Sequence, residues 1–400
     1  MNNFAEKKLC EIRSSLLMLS VFRGVLSHPV PKLFMEYADR TGAVSAPKEA
    51  IYAAMVAELY ESGESFADHI ARLVFEDENV YVKARAKGIT PSASVSAAAK
   101  WELSALSRLC ELTPSDFALD MGLDYVSPFE TGRIDLPTAY EQRLAEISRF
   151  GYGIFASSGM FRLSDEGEIL PIVSIDRISM DSFIGYEAER NRVLENTVAF
   201  VEGRPAANTL LSGDAGTGKS STVKAVANAL FDRGIRLIEL RKDQLSKLPF
   251  VMGRISGNPL KFIIFIDDLS FNQNDDNFSM LKAALEGSAS AKAENAVIYA
   301  TSNRRHIIKE SFKDRDGDDI HRNDTIAETL SLSERFGLSV YFGKPDKKLY
   351  LEIVHNLCKR YGVNKPESEL DIEAEAFALR RGYRSARCAE HFVAELRRKV

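Results

Sequence analysis

Several protein classes are excluded by what this chain has little of. Its four cysteines, Cys10, Cys110, Cys358 and Cys388, are scattered with no C-x-x-C pair. A disulfide scaffold is therefore not expected, and a reducing, cytoplasmic compartment is. No stretch approaches the roughly 20 apolar residues that a helix needs to span a bilayer. Lys7, Lys8 and Arg13 precede an apolar run from Leu16 to Phe22 that loosely mimics an export signal. Arg23 cuts that run short and no small-residue cleavage site follows, so the expectation is a buried amphipathic helix. Positive charge is not in surplus: the formal net charge is −5, which gives no global attraction for nucleic acid or an anionic membrane. Internal repeats and low-complexity tracts are absent.

The composition that is present, 45% hydrophobic and 27% charged, is that of a globular protein. At 400 residues the chain exceeds the size, about 250–300 residues, at which single cores stop growing, so two or three domains are expected. Residues 1–150 read as a helical domain, with apolar side chains three and four apart over Ile51 to Leu59 and Ala97 to Leu112. Between Gly151 and Asp176 the period shortens, and Met160 to Leu163 and Ile169 to Ile172 around Ser164-Asp165-Glu166-Gly167 predict a hairpin. That hairpin is expected to bridge two domains across residues 151–180. From Asp181 onward, helices alternate with apolar strands at Asn208–Leu211, Arg236–Leu240, Phe262–Ile266, Ala296–Ala300 and Leu338–Phe342. Such strands belong in a doubly wound parallel sheet, here the α/β core of residues 181–343. Residues 344–400 return to helix over Tyr350–Tyr361, Ile372–Arg381 and Ala386–Lys399, and predict a small helical lid.

One motif carries chemistry outright. Gly213-Asp214-Ala215-Gly216-Thr217-Gly218-Lys219-Ser220 follows an apolar strand and precedes the helix-forming stretch from Ser221, the context a phosphate-binding P-loop demands. Its glycines let successive N–H groups turn inward on a phosphate at the positive end of the next helix. Lys219 supplies a point charge for the β- and γ-phosphates, and Ser220 a hydroxyl for Mg²⁺. Phe262 to Ile266 ends in Asp267 and Asp268; a buried strand delivers its last residues beside the P-loop, where Asp267 reaches the metal and Asp268 orients or deprotonates water. Asn303 closes the next strand, placed to sense the γ-phosphate. Arg335, in Leu332-Ser333-Glu334-Arg335-Phe336-Gly337 just before the last strand, suits an arginine finger acting across a subunit boundary. In the lid, Ser385 is the expected N-cap of the final helix, and Arg387, preferred over Arg384, is placed to reach the γ-phosphate.

This series resembles the AAA+ ATPases. Within them, Asp181 to Phe342 resembles the bacterial family called domain of unknown function 815, through ENTVAFVEGRPAANTLLSGDAGTGKSSTVKA, FIIFIDDLSF, LKAALEG, IYATSNRRH and LSLSERFGL. The resemblance implies a P-loop AAA+ core with an all-α N-terminal domain and a helical lid, ATP and Mg²⁺ as ligands, and a homo-oligomer in ring or open-ring form. It also implies that Phe183-Ile184-Gly185-Tyr186 lines the adenine pocket, with Ile184 the contact. The acid pair is Asp-Asp, where many relatives carry Asp-Glu, and slow turnover is the corresponding expectation.

Three features tempt towards other readings. Phe250-Val251-Met252-Gly253 is similar to a peptide-gripping pore loop, but Leu245, Leu248, Val251, Met252 and Ile255 are spaced as one helix face. Asp314, Asp316, Asp318 and Asp319 evoke a calcium loop, yet Gly317 falls too early and no bidentate Glu follows. Arg304 and Arg305 read equally as surface charge or as contacts to a neighbour's nucleotide. The favoured function is ATP hydrolysis at oligomer interfaces that remodels or loads a macromolecular partner, protein rather than nucleic acid given the acidic charge. The alternative is an ATP-gated assembly or loading switch with negligible turnover; a small-molecule kinase suits the Arg335 and lid arginine pattern less well.

Overall fold

The computed structural model describes residues 2–39, 41, 46–172, 178–269, 276–285, 293–303 and 334–398. The chain divides into two compact units, Met1–Ser157 and Ser158–Val400. Arg304, Arg305, the acidic cluster from Asp314 to Asp319, and Leu332-Ser333 lie outside the described residues. Among the described residues no helix is long and apolar enough to cross a membrane.

The first unit is helical: α1 (Asn2–Leu17), α2 (Pro29–Tyr37), α3 (Lys48–Ser62), α4 (Phe66–Glu76), α5 (Val80–Ala86), α6 (Ala93–Cys110), α7 (Pro114–Met121), α8 (Leu136–Ala145), and the short α9 (Ile147–Phe150) and α10 (Ile154–Ser157). Its boundaries follow local chemistry. Ser65, Asn79 and Ser92 cap the starts of α4, α5 and α6 with side-chain oxygens, and Gly63 ends α3 in the left-handed conformation. Leu9, Ile12 and Leu16 bury one stripe of α1 in a core with Phe22, Phe34, Phe66, Leu106 and Phe117; the apolar run from Leu16 to Phe22, expected as a buried amphipathic helix, is instead mostly turn, since α1 ends at Leu17, with Leu17 and Met18 exposed and Leu19, Val21 and Phe22 buried. Within that core the Glu102 carboxylate accepts from the backbone N–H groups of Val21 and Phe22 and from Ser20, the pairing that makes a buried charge tolerable.

The second unit is built on a seven-stranded sheet of order β2-β1-β4-β5-β6-β3-β7: β1 (Met160–Leu163), β2 (Ile169–Pro171), β3 (Thr209–Gly213), β4 (Ile235–Leu240), β5 (Lys261–Ile266), β6 (Ala296–Ser302) and β7 (Leu338–Phe342). All neighbours are parallel except β1 and β2. The expected hairpin forms, but β1 also pairs parallel with β4, Phe161 opposite Ile238. It extends the sheet instead of standing apart as a bridge, because Phe161 and Leu163 bury themselves in that edge. Helices α11 (Glu187–Val201), α12 (Lys219–Ala229), α13 (Leu248–Ile255) and α14 (Asp276–Leu285) belong to the same unit. Over Phe250 to Gly253 the helix reading holds: Leu248, Val251, Met252 and Ile255 are buried and Phe250 is exposed on α13.

Parallel register is what makes a site. Leu211 lies opposite Thr301 and Ser212 opposite Ser302, while Ile266 lies opposite Ala300. The carboxyl ends of β3, β6 and β5 therefore open side by side, where ligands of such sheets bind. Beyond β7, α15 (Lys347–Arg360), α16 (Glu367–Arg381) and α17 (Ala386–Arg397) form the small helical bundle expected of a lid. Tyr350, Val354, Leu370, Phe377, Cys388 and Phe392 fill its core.

Candidate functional site

The P-loop is shaped by glycines at positive φ, of which Gly213 leaves no room for a side chain. Gly213 ends β3 at φ +138, and a Cβ there would lie 1.9 Å from the Phe342 carbonyl oxygen; Asp214 N–H donates to that same oxygen at 3.2 Å. The loop thus leaves the sheet pinned to the end of β7. Gly218, at φ +89, caps α12 and faces open space where a Cβ would stand. Ser221 occupies the first turn of α12. Gly216, Thr217 and Ala215 complete a concave turn at the start of this helix, where unpaired N–H groups and the helix dipole favour an anion.

Side chains converge on the turn from three strands. Lys219 is buried, and its Nζ donates to the carbonyls of Gly213 (3.0 Å) and Asp214 (2.7 Å) and to Asn303 Oδ1 (3.0 Å). Burial lowers its pKa from the ordinary lysine value, and the nearby Asp214, Asp267 and Asp268 carboxylates oppose that shift. Ser220 Oγ donates to Asp267 Oδ1 at 2.6 Å. Asn303 Nδ2 donates to Asp268 Oδ1 at 2.8 Å. One amide side chain therefore joins the lysine to the second acid.

Thr301, which sequence reasoning passed over, ties the acids to the neighbouring strand. Its hydroxyl donates to Asp267 Oδ1 at 2.5 Å and accepts the Asp268 N–H at 3.0 Å. The only sequence signal was its place two residues before Asn303. Asp268 adopts φ +53, the left-handed region in which aspartate is tolerated far better than longer side chains. This is a conformational reason for aspartate, not glutamate, at this position.

The site continues into a cavity of about 460 Å³ lined by the P-loop, Asp267, Asp268, Thr301 and Asn303, by the strap before α11, and by the lid. Ile184 lines it from the strap, together with Phe183 and Tyr186, and Arg190 from the first turn of α11. Tyr186 holds a left-handed φ of 58° and donates its hydroxyl to the Gly343 carbonyl at 2.6 Å. Ile353, Leu357, Arg360 and Glu390 line it from the lid and were not foreseen; they come from helix faces with no motif.

The candidate arginines separate in space. Arg387 lines the cavity. Arg384 does not, and its guanidinium is held bidentately by Glu375 at 2.9 and 2.7 Å. Ser385 caps α17 by accepting the Cys388 N–H at 3.0 Å, and sits within 3.1 Å of where a Gly216 Cβ would be. Arg335 is half-buried and does not line the cavity. Thr209 pairs with Leu338 and Gly213 with Phe342, so Arg335 precedes the end of β7 remote from the P-loop, about 13 Å or more away along the strand.

These donors fit a magnesium triphosphate. Among the described residues no group of three or more His, Cys, Asp or Glu gathers to cage a metal. A lone carboxylate beside a hydroxyl, Asp267 and Ser220, is the sparse oxygen set that Mg²⁺ uses when phosphates complete its shell.

Residues 157–400 match the model of the family described as Protein of unknown function (DUF815). No curated protein matches the chain. Among solved structures, RuvB of Thermotoga maritima, titled a Holliday junction branch migration motor, is similar at 16% identity and a TM-score of 0.38, over 54% of this chain and 63% of that one. A single-substitution variant of the same protein is similar at 16% identity and a TM-score of 0.39, over 54% of this chain and 64% of that one. The chain covers less than two thirds of the length of RuvB.

Proposed function

The chain belongs to the DUF815 family, and we propose that it is an AAA+ ATPase that binds and hydrolyses ATP with Mg²⁺ at boundaries between copies of itself. In this reading the step remodels or loads a macromolecular partner in the cytoplasm. The observation that carries the proposal is the bonded network running from Lys219 through Asn303 to Asp268, beside the linked pair of Asp267 and Ser220.

Bound MgATP would supply the phosphoanhydride bond to be cleaved and a cation to neutralise its charge. The chain's own residues do the rest. Gly213 to Ser221 cradle the phosphates with backbone N–H groups, and Lys219 adds its charge. Ser220 and Asp267 hold the metal. Asp268 takes the proton from water at its carboxylate, and Asn303 fixes that carboxylate while sensing the γ-phosphate. Ile184 packs on the base, and Arg387 brings the lid to the phosphates. Arg335, too far along β7 from its own P-loop, serves a neighbouring copy. Division into a helical first domain, a core of residues 181–343 and a mobile lid of residues 344–400 is part of the same proposal. The net charge of −5 favours a protein partner over nucleic acid.

A second reading, the ATP-gated switch with negligible turnover, draws on one observation: Asp268 and Lys219 are both engaged by Asn303, which leaves the acid less available to water. ATPase measurements at rising protein concentration test both. Turnover that climbs with concentration and falls about 10³-fold or more in Arg335→Ala, with ATP binding retained, is expected of a finger acting in trans. Activity indifferent to both would refute it. Assembly on a non-hydrolysable analogue with no measurable turnover would select the switch.

A further inference from the structure

Arg190 is a buried arginine with too few partners. It lies in the first turn of α11, is 6% exposed, and lines the cavity beside Phe183, Ile184 and Tyr186. Its guanidinium stands 5.3 Å from the centre of the Phe183 ring. Among the described residues its side chain makes one hydrogen bond, from Nη2 to Glu187 Oε1 at 3.3 Å, and that glutamate side chain is 71% exposed. A guanidinium carries five N–H donors, and burying them unpaired is costly. Among the described residues, the fully sealed side-chain polar atoms without a partner belong to Tyr140 and Arg143, so the spare donors of Arg190, a residue that lines the cavity, are not sealed off.

What surrounds them defines what they would meet. Ile178, Phe183, Ile184, Ile353 and Leu357 give the cavity apolar walls, which suit the flat faces of a heterocycle. Triphosphate charge has its own partners in Lys219, Arg387 and the P-loop. A donor-only group among apolar walls recognises an edge that bears acceptors, and the ring nitrogens of a purine are such acceptors. Resting on the nucleotide reading above, we propose that Arg190 donates to a ring nitrogen of the bound purine and so is a base-recognising residue of the site.

Calorimetric titration of the full chain tests this with ATP, its 1-deaza, 3-deaza and 7-deaza analogues, and 2′-deoxy-ATP. The wild type should bind one of the three deaza analogues about 10- to 100-fold more weakly than ATP, the value of a charge-assisted hydrogen bond. Arg190→Met should lose a similar factor for ATP and no longer distinguish that analogue. Arg190→Lys, which keeps a charged donor, should retain part of the discrimination. Equal binding of all three deaza analogues by the wild type overturns the proposal, as does discrimination that persists in Arg190→Met or is confined to 2′-deoxy-ATP. Should Arg190→Met fail to fold, the wild-type panel and the lysine variant decide alone. No uptake of ATP by the wild type would instead defeat the nucleotide reading itself, an outcome distinct from normal ATP binding without discrimination.

Discussion

Replacing Asp268 by Glu, which adds one methylene to the carboxylate side chain, is expected to destabilise the protein before any substrate is added. The backbone at Asp268 sits at φ +53. An L-residue in that region costs about 1–2 kcal/mol, and Asp and Asn pay less of it than longer side chains. Glu is counted as paying about 0.5–1 kcal/mol more than Asp. Its extra methylene also carries the carboxylate away from Asn303 Nδ2, now at 2.8 Å. Both side chains are exposed, so the lost bond is counted at about 1 kcal/mol, the typical net value, below the range for buried bonds to charged groups. Together the loss is about 1.5–2 kcal/mol, and at about 2–4 °C per kcal/mol for a unit of this size the melting temperature should fall by about 3–8 °C. Asp268→Asn is the paired control. It keeps the left-handed backbone and an oxygen for Asn303, so it should melt within about 0.5 kcal/mol of wild type while losing hydrolysis. Scanning calorimetry of nucleotide-free protein measures both. A glutamate variant as stable as wild type, or an asparagine variant that falls as far as the glutamate one, would refute the conformational argument.

Three further outcomes are expected. Thr301→Val keeps shape but removes the hydroxyl shared by Asp267 and the Asp268 N–H; denaturant unfolding should show a loss of about 1.5–3 kcal/mol, and Mg²⁺-dependent nucleotide binding should weaken more than binding without metal. Gly213→Ala drives a Cβ to 1.9 Å from Phe342 O at φ +138, so soluble yield or unfolding free energy should drop by about 3 kcal/mol or more, and a variant as stable as wild type would show that the end of β7 yields. Burial, helped by Glu189, Asp214 and Asp346, pushes the Tyr186 phenol up to about 12. A raised folded value means that its contribution to stability is complete below the unfolded value near pH 10 and is lost as pH rises towards 12. The stability difference between wild type and Tyr186→Phe should therefore shrink across that window, and a difference that holds constant would exclude the shift.

The strands were legible because a parallel sheet covered on both faces demands continuous apolar runs. Phe262 to Ile266 is wholly buried and was readable as such, as were the P-loop and the acids that follow β5. Information carried between distant segments was not legible. Nothing local to Met160–Leu163 says that it will pair with β4. Nothing around Arg384, in the loop before α17, reveals that Glu375 on the preceding helix will hold it. The left-handed backbone at Asp268 depends on a hydroxyl 33 positions away on β6, and the lid's contribution to the cavity depends on which helix faces turn inward. Local pattern specifies elements; the site's finer geometry comes from register and packing, which single-sequence periodicity does not encode.

The contact at Gly216 leaves clearance smaller than one methyl group between the phosphate turn and the first residues of α17, with Ser385 Oγ and Arg387 Cβ each 3.1 Å from where a side chain would begin. Any side chain at this position would press on the start of that helix, so a substitution of Gly216 should wedge the C-terminal bundle away from the phosphate turn, an effect that requires no change in either element itself.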